Sequence, residues 1–391
     1  MDSRRILIVG ATGLVGAAAV RHFASTPGWR VTGLSRRKPI GRGEIAHLAV
    51  DLTDSSGCRK AFAKAGPFTH VLYAALQEED DLEAGWRSRA QQEVNLGMLS
   101  NVLDGVEGRG RLRHLTILQG GKAYGSHLGR IPVPAKERWP RMSHQIFYWQ
   151  QEDLLRERAA SGGWAINILR PQLILGRALA SPMNIIAAIG VYASILRAAG
   201  EPLWFPGGGL YVTACSDSRL IARAVEFCAT TPTVSGEIFN IVNGDAIVWR
   251  DMWPAIAAHF DMPVGEHKPM RLAEVMPLRE QEWDRLVRHY GLRSTTMREI
   301  VGSSWQTADL TLGYGKERQF DRLMSPIKIR QAGFADCMDT EDSVLYWLSE
   351  MQDEGLLPRF YGEACLERRA ARAGTPMHDD ASVGGPFADG R

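Results

Sequence analysis

The chain has 391 residues, of which 45% are hydrophobic and 23% are charged, a balance typical of a globular protein with a substantial core. The formal net charge of +2 gives no reason to expect a nucleic acid or an anionic membrane as a partner. The five cysteines stand singly, which argues against a disulfide framework or a metal site and favours a reduced, cytoplasmic compartment. They are Cys58, Cys215, Cys228, Cys337 and Cys365.

Neither the apolar start of the chain nor its longest later apolar run predicts an export signal or a membrane span. Ile6–Val9 is too short for a signal-peptide core and is interpreted as a buried strand. Ile185–Leu196 would extend about 18 Å as a helix, against a hydrocarbon core of ~30 Å. The later run therefore predicts a buried helix or the wall of an apolar pocket.

The first half of the chain alternates short apolar runs with longer amphipathic stretches. Strands are predicted at Ile6–Val9, Val31–Leu34, His47–Val50, His70–Ala74, Leu115–Leu118 and Ala165–Leu169. Helices are predicted between them, for example at Leu14–Ala24, Ser56–Lys64 and Gln91–Gly105. Right-handed crossovers at this spacing predict an α/β fold, namely a Rossmann-type doubly wound parallel sheet with helices on both faces.

The strongest local motif is Gly10-Ala-Thr-Gly13-Leu-Val-Gly16, which follows the first strand and opens a helix. Glycines at this spacing allow a tight turn, a close approach of backbone to a pyrophosphate and close packing of helix on strand. The helix N-terminus adds free N–H groups and the positive end of the helix dipole. The motif predicts a dinucleotide site that comprises Gly10, Thr12, Gly13, Leu14, Val15 and Gly16.

The second strand ends in Ser35-Arg36-Arg37. A site that prefers NAD usually has Asp or Glu here for the ribose 2′-hydroxyl, whereas two guanidinium groups suit a 2′-phosphate. We therefore predict NADPH, or its oxidised form NADP, as cofactor, with a solvated basic loop as the structural alternative. Further cofactor contacts are predicted at the ends of the third and fourth strands, at Asp51, Leu52, Ala74 and Ala75.

Standard short-chain dehydrogenases place a Tyr and a Lys four residues apart on one helix, and this chain departs from that pattern. Tyr148 opens a helix between the fifth and sixth strands, but Glu152 stands four residues later. The well-placed lysine is Lys122, directly after the fifth strand, where Ser or Thr is usual. A lone Tyr or Lys is most often structural or solvated, so these two residues gain weight from their positions in a cofactor fold.

At these residues the sequence resembles the progesterone 5β-reductase/iridoid synthase family of short-chain dehydrogenases/reductases. Leu118-Gln-Gly-Gly-Lys-Ala-Tyr-Gly125 is similar to the family motif LQTGxKHYxG, and Phe147-Tyr-Trp-Gln-Gln-Glu-Asp153 is similar to FYYxxED. Further matching segments are Gly10–Gly16, Ser35–Arg37, Leu169–Gly176, Ser181–Asn184, Phe239–Gly244 with Trp249, and Ser325–Pro358. Ala123 replaces the family His and Trp149 replaces its second Tyr, so the substrate does not carry over.

Members of that family reduce a carbon–carbon double bond conjugated to a carbonyl, and they use NADPH. The resemblance implies hydride delivery to the β-carbon of an enone or enal, with Tyr148 as phenolic donor to the enolate oxygen and Lys122 assisting. A carboxylate one turn away, at Glu152, also disfavours a phenolate and so favours a neutral donor. The cofactor site is expected to be completed by Gln119, Pro171 and Leu173.

After Gly176 the strand–helix alternation ends. The later elements are predicted as helices at Met183–Ala199, Asp217–Ala229, Trp249–His259 and Thr340–Met351 and a strand at Ile238–Val242. We predict an NADP-binding core over residues 1–180, a substrate lobe with returning core elements over 181–365, and a disordered tail over 366–391. The substrate pocket is predicted from Tyr124, Trp149, Met183, Asn184 and Trp204, although such residues are often plain core.

The resemblance implies reduction of the activated double bond of an enone or enal, the expected partner is a hydrophobic enone or ketone substrate, and other functions stay open. Carbonyl reduction, or sugar-nucleotide epimerase or dehydratase chemistry, occurs on the same scaffold, and fold does not dictate function. A regulator that senses NADP without turnover is the alternative from another class. A homodimer is one assembly that we consider, and the sequence does not fix the oligomeric state.

Overall fold

The computed structural model describes residues 4–39, 45–108, 110–293, 296–316 and 319–360. The predicted tail over 366–391 lies outside these residues. Within them the strands are β1 Arg4–Val9, β2 Trp29–Ser35, β3 Ala46–Ala49, β4 His70–Tyr73, β5 His114–Leu118, β6 Ala165–Pro171, β7 Leu173–Leu175, β8 Leu203–Phe205, β9 Cys215–Asp217, β10 Ile238–Ile241 and β11 Val264–His267.

The helices of the described residues fall between and after these strands. They are α1 Leu14–Ser25, α2 Ser55–Lys64, α3 Leu82–Gly85, α4 Arg89–Glu107, α5 Phe147–Gly162, α6 Ile185–Ala198, α7 Ser218–Thr230, α8 Trp253–His259, α9 Leu272–Val275, α10 Glu280–Tyr290, α11 Met297–Val301, α12 Ser304–Leu312, α13 Ile327–Gln331 and α14 Thr340–Asp353. Short 3₁₀ helices cover Gly121–Tyr124, Pro232–Val234 and Met276–Arg279.

Seven of the strands form one sheet in the order β10-β6-β5-β4-β1-β2-β3, and every pairing is parallel. The order reverses beside β1, which pairs with β2 on one side and β4 on the other. Doubly wound sheets bind ligands in the crevice at the carboxyl ends of the strands next to such a reversal. The predicted fold class is confirmed, and its binding edge lies where β1 and β4 end.

The sheet is buried on both faces, which explains why its strands are continuous apolar runs. Along β1, Ile6 and Ile8 pack into one core cluster together with side chains of α1 and α7. The alternate residues Leu7 and Val9 belong to the opposite cluster, with side chains of α2, α4 and α5. This alternation follows from the two-residue repeat of a strand and places a helical layer on each face.

A third core cluster lies outside the sheet and is built around α6. Most of α6 is buried on all sides, against side chains that include those of α8, α10, α12 and α14. The apolar run at Ile185–Leu196 is therefore a buried helix, as one of its two interpretations predicts. None of the described helices has both the length and the apolar character that a bilayer span requires. The predicted domain boundary at residue 180 stays a prediction.

Two of the later helices begin two to four residues after their predicted starts. The helix predicted from Met183 begins at Ile185, because the side chain of Asn184 caps it by accepting a hydrogen bond from the backbone N–H of Ala187 at 3.2 Å. The helix predicted from Trp249 begins at Trp253, with a proline in its first turn. Proline favours a helix start because its ring presets the backbone angle.

Candidate active site

The glycine motif forms the turn between β1 and α1 and touches the end of β4. Gly10 has a φ of +83°, a conformation that favours glycine, and a Cβ added there would lie 2.7 Å from the carbonyl oxygen of Ala74. A Cβ added at Gly16 would lie 2.0 Å from the carbonyl oxygen of Gly10. The turn is therefore in close contact with both the next strand end and its own helix. Gly16 acts through this packing and does not line the cavity described next.

A cavity of about 720 Å³ runs along the carboxyl ends of the strands. Its wall contains the predicted glycine-loop residues Gly10, Thr12, Gly13, Leu14 and Val15, the strand-end residues Ser35, Arg36, Arg37, Asp51, Leu52, Ala74 and Ala75, and Gln119, Lys122, Tyr148, Pro171, Leu173 and Met183. The structure thus brings these separately predicted positions together in one continuous space.

At one end of this cavity, basic side chains follow β2. Arg36 and Arg37 are exposed, and the hydroxyl of Ser35 donates a hydrogen bond to the carbonyl oxygen of Arg37 at 2.6 Å, which shapes the turn. Asp51 lies close enough to Arg36 for its charge to be felt. Hydrogen bonds from the backbone N–H and hydroxyl of Thr53, and then the charge of Arg36, hold the pKa of Asp51 below its usual value. Two accessible guanidinium groups at this position fit a phosphate.

At the other end, Tyr148 lies in the first turn of α5 with its ring buried. Its hydroxyl points toward the turn after β5, where a Cβ added to Gly120 would be 3.5 Å away. Among the described residues the hydroxyl has no hydrogen-bond partner. Burial raises the pKa of Tyr148, the charge of Glu78 raises it further, and Arg170 opposes both. The phenol is therefore a neutral, unengaged donor at the cavity wall.

Lys122 lies in the 3₁₀ helix that follows β5. Its Nζ is 3.5 Å from Oε1 of Glu78 and 3.7 Å from the ring centroid of Trp86. Burial lowers the pKa of Lys122 to about 8, although the neighbouring carboxylate of Glu78 opposes this shift. Lys122 and Tyr148 line the same cavity, and Glu78 acts electrostatically on both.

The prediction that the carboxylate of Glu152 disfavours a phenolate at Tyr148 needs correction. This carboxylate is 3% exposed and makes ion pairs with Arg141 at 3.0 Å and Arg156 at 2.9 Å. Burial raises the pKa of Glu152, but hydrogen bonds from Arg141, Gln119 and Arg156 outweigh that effect and leave it below the usual value. The carboxylate that raises the pKa of Tyr148 is Glu78.

Gln119 connects this network to the strand beside it. Its side-chain oxygen accepts a hydrogen bond from Arg170 at 2.8 Å, and its side-chain nitrogen donates to Glu152 at 3.1 Å. Both ends of the amide are thereby engaged within the protein. Gln119 lines the cavity, and its side chain holds Arg170, whose charge acts to lower the pKa of Tyr148.

Four residues predicted for the substrate pocket are not on the cavity wall. Tyr124 turns away because its hydroxyl donates to the side chain of Asn240 at 2.7 Å. Trp149 follows Tyr148 on the helix and so points elsewhere, with its ring 5.9 Å from that of His144. The structure therefore does not bring these two side chains to the cavity described.

The other two predicted pocket residues that are not on the cavity wall are Asn184 and Trp204. Asn184 is fully buried. Its side chain caps the start of α6 and also donates a hydrogen bond to the carbonyl oxygen of Ala178 at 3.0 Å. Trp204 packs against the core around α6, and the indole nitrogen of Trp253 donates to its carbonyl oxygen at 3.0 Å. Of the five predicted pocket residues, Met183 lines the cavity.

Several cavity residues were missed by the sequence analysis. The segment after β4 contributes Trp86 to the wall, with Glu78 directly behind Lys122. His127 lines the wall near them, and α12 and the stretch beyond it add Thr307, Leu310, Thr311 and Phe320. No local motif marks these positions, because each reaches the cavity through long-range packing.

The sheet order, the glycine turn and the cavity at the strand ends are features of the short-chain dehydrogenase fold. Residues 59–343 match the family model described as the PRISE-like Rossmann-fold domain, and the chain belongs to this family. This membership confirms the predicted resemblance and the prediction of an oxidoreductase.

Two relatives cover nearly the whole chain. (S)-8-oxocitronellyl enol synthase of Nepeta racemosa is 32% identical over 378 residues, which are 90% of this chain and 92% of that protein. 3-Oxo-Delta(4,5)-steroid 5-beta-reductase of Arabidopsis thaliana is 30% identical over 382 residues, again 90% of this chain and 92% of the relative.

Solved structures show the same fold at lower identity. The NAD complex of UDP-glucose 4-epimerase from Thermus thermophilus has a TM-score of 0.61 and 19% identity, and the match covers 89% of this chain and 99% of that one. At this identity the likeness supports the architecture and no particular chemistry.

Proposed function

We propose that this protein is an NADPH-dependent reductase of carbon–carbon double bonds conjugated to a carbonyl group. The observation that carries the proposal is that Tyr148, with a free and neutral hydroxyl, lines the same cavity as Lys122 and the glycine turn. The names of the relatives, an enol synthase and a Δ4,5-steroid reductase, are consistent with chemistry at such a bond.

The cofactor would be held along the strand ends. Thr12, Gly13 and Leu14 at the start of α1 line the cavity and would face the pyrophosphate, since the N-terminus of a helix favours an anion. Arg36 and Arg37 would bind the 2′-phosphate, which is the reason to propose NADPH over NADH. When bound, the cofactor supplies the hydride.

The chain's own residues act on the charge that hydride addition creates. As the β-carbon of an enone takes the hydride, negative charge moves to the carbonyl oxygen. The hydroxyl of Tyr148 donates a hydrogen bond to that oxygen, and the ammonium of Lys122 stabilises its charge in a site of low polarity. The enolate then takes a proton from solvent water at its α-carbon, which completes the saturated carbonyl product and leaves the Tyr148 hydroxyl protonated.

The substrate is proposed to be a hydrophobic small molecule. The cavity wall near the reactive pair and toward the lobe includes the apolar residues Leu128, Ile131, Phe147, Met183, Leu310 and Phe320. Such a wall favours burial of an apolar body, with the carbonyl group fixed by a few polar side chains. A homodimer and a cytoplasmic location stay predictions.

The proposal is tested by NADPH oxidation with a panel of enones and matched saturated ketones, followed by product analysis. We expect consumption with enones and a product reduced at C=C. Consumption with ketones alone would favour carbonyl reduction, and binding of NADPH without consumption would favour a sensor.

Tyr148→Phe tests the proposed donor. We expect the enone kcat to fall by about a hundredfold to a thousandfold, as when one oxyanion donor is lost, while the Kd for NADPH changes little. Tyr124→Phe is the matched control, because the Tyr124 hydroxyl donates to Asn240 away from the cavity. Equal turnover in the Tyr148→Phe protein and wild type would remove this residue from the mechanism.

A further inference from the structure

The segment between β4 and α4, residues 74–88, lies against Lys122 and is fixed by amide side chains. Asn95 accepts a hydrogen bond from the backbone N–H of Gln77 at 3.0 Å and donates to its carbonyl oxygen at 2.8 Å. Gln91 accepts from the backbone N–H of Glu79 at 2.8 Å. Since both amides belong to α4 and are buried, the path of this segment is set by the core.

This segment is also tied to the lobe. The side-chain oxygen of Gln306, on α12, accepts a hydrogen bond from the backbone N–H of Leu82 at 3.2 Å, and its nitrogen donates to the carbonyl oxygen of Asp80 at 2.8 Å. The segment is thus held from two directions. Side chains that it carries have a defined place at the reactive end of the cavity.

Glu78 is one such side chain, and only 2% of it is exposed. Its Oε2 accepts a hydrogen bond from the side chain of Gln91 at 2.7 Å. Its Oε1 has no closer polar partner among the described residues than Nζ of Lys122, which lies 3.5 Å away at the outer limit of a hydrogen bond. One oxygen therefore fixes the carboxylate, and the other is left to face the ammonium.

Trp86 is the second side chain of this segment that lies against Lys122. Its ring centroid is 3.7 Å from Nζ of Lys122, so the cation lies over the indole face. An ammonium over an aromatic face is attracted by the ring quadrupole, more strongly when it is desolvated. Lys122 therefore contacts a carboxylate and an aromatic ring from the same segment.

We propose that Glu78 and Trp86 are positioning residues that hold the ammonium of Lys122 at the reactive end of the cavity, ready to face negative charge on a substrate oxygen. This proposal rests on the proposed function, which identifies that negative charge as the one that develops on the carbonyl oxygen of the substrate. A lysine side chain has high rotamer freedom, and its place at a strand end does not fix Nζ. A preorganised charge acts on the transition state without reorganisation during the reaction.

The ionisation of Lys122 is the property that separates positioning from mere packing. Among the described residues, the titratable groups that face Lys122 are Glu78 on the segment after β4, His127 on the cavity wall, and His144, whose ring nitrogen lies 3.1 Å from the carbonyl oxygen of Lys122. Tyr148 lines the same cavity. Among these, Glu78 favours the charged ammonium against burial. Removal of its charge should therefore make Lys122 lose its proton at lower pH.

The test is trace labelling of the full-length protein with 2,4-dinitrofluorobenzene across pH, quantified by mass spectrometry on the peptide that contains Lys122. We expect a labelling midpoint near 8 in wild type. In Glu78→Gln the midpoint should move down by about one unit, because an opposite charge nearby is lost. Glu79→Gln is the matched control, since this neighbouring side chain is exposed and its contact with Gln91 is made by the backbone.

Enone turnover gives a second readout. The alkaline limb of kcat should move to lower pH in Glu78→Gln by the same amount and stay in place in Glu79→Gln. Trp86→Leu should lower kcat more than Trp86→Phe, which keeps an aromatic face. If Glu78→Gln does not fold, Glu78→Asp retains the charge on a shorter arm and should lower kcat while moving the midpoint less.

The two proposals fail separately. An unchanged labelling midpoint in folded Glu78→Gln overturns the positioning role, whatever the turnover. If Glu78→Asp is the variant that folds, wild-type kcat in that protein overturns it. A shifted midpoint in a protein whose wild type reduces no enone supports the positioning of Lys122 and overturns the proposed reaction.

Discussion

The two ends of the cavity are built differently. At the glycine turn, contacts between backbone atoms set the geometry, since a single added Cβ at Gly10 or Gly16 would overlap a carbonyl oxygen. At the reactive end, where Lys122 and Tyr148 line the cavity, side chains from three distant segments meet, and the charge of Glu78 acts on both Lys122 and Tyr148. The geometry of the glycine turn depends on the absence of side chains, whereas the geometry of the reactive end depends on how its side chains are placed relative to one another.

This difference has a consequence for how each end tolerates change. A backbone turn fails when almost any atom is added to it, whatever the chemistry of that atom. A cluster of side chains keeps its shape when one member is replaced by a similar residue, and it loses a particular charge or donor. Substitutions at the first end should therefore affect cofactor binding, and those at the second should affect turnover and its pH dependence.

The largest effect on cofactor binding is expected at the glycine turn. Gly16→Ala places a methyl group 2.0 Å from the carbonyl oxygen of Gly10, so α1 must move away from the turn. We expect the Kd for NADPH to rise by about a hundredfold, consistent with the few kcal/mol that overpacking costs. Isothermal titration or fluorescence of bound NADPH measures this.

Gly97→Ala adds the same methyl group on α4, where an added Cβ meets nothing within 4 Å, and serves as its control. This change should leave NADPH binding intact and should slightly raise the free energy of unfolding, because alanine favours a helix. Similar NADPH affinity in the Gly16→Ala protein and the Gly97→Ala protein would contradict the importance assigned to the close contact.

A smaller effect is expected at the basic end. Replacement of both Arg36 and Arg37 by Ala should raise the KM for NADPH by about twentyfold, because exposed charge-assisted contacts to a phosphate are lost. The KM for NADH should barely change, so the ratio of the two measures the preference. Arg30→Ala removes a guanidinium near the start of β2 and should leave both values unchanged. Loss of activity with NADH to the same degree would argue against a 2′-phosphate contact.

Much of the fold could be predicted because its signals are local. Continuous apolar runs such as Ile6–Val9 predict strands that are buried on both faces, and the structure has them there. The cofactor side of the site follows from the same patterns, since strand ends and a glycine turn must meet at the carboxyl edge of a parallel sheet. Asp51 and Ala74 reach the cavity wall for this reason.

The reactive end could be predicted only in part. Lys122 and Tyr148 stand in motifs, whereas Glu78 and Trp86 stand in a segment whose path depends on hydrogen bonds to Asn95 and Gln91. Nothing in the local sequence states that those amides face this segment. The effect of Glu78 and Trp86 on Lys122 therefore emerges only from the folded chain.

The predicted pocket residues that do not line the cavity are placed elsewhere for a similar reason. The hydroxyl of Tyr124 is taken by Asn240, 116 positions away along the chain. Asn184 caps the start of α6, so its side chain is turned toward a backbone N–H group in the first turn of that helix. A polar or aromatic residue near a pocket in sequence can thus be diverted by a partner that the sequence does not reveal.

The smallest effect concerns pH and tests the reactive end without a change in its shape. Because burial lowers the pKa of Lys122 to about 8, the ammonium is the populated form below this pH and is lost as the pH rises. The pKa of Tyr148 is raised, so its phenol stays protonated over this range. We expect kcat for enone reduction to fall by about tenfold between about pH 7 and pH 9.

The variant Lys122→Arg assigns this titration to a residue. A guanidinium stays charged far above this range. Its turnover is expected to be lower than that of wild type, since a planar group does not fit the space of an ammonium, but its kcat should be flat across the alkaline range. Because the change keeps the charge and removes only its titration, a limb that persists in this variant assigns the titration to another group and leaves Lys122 as a fixed charge.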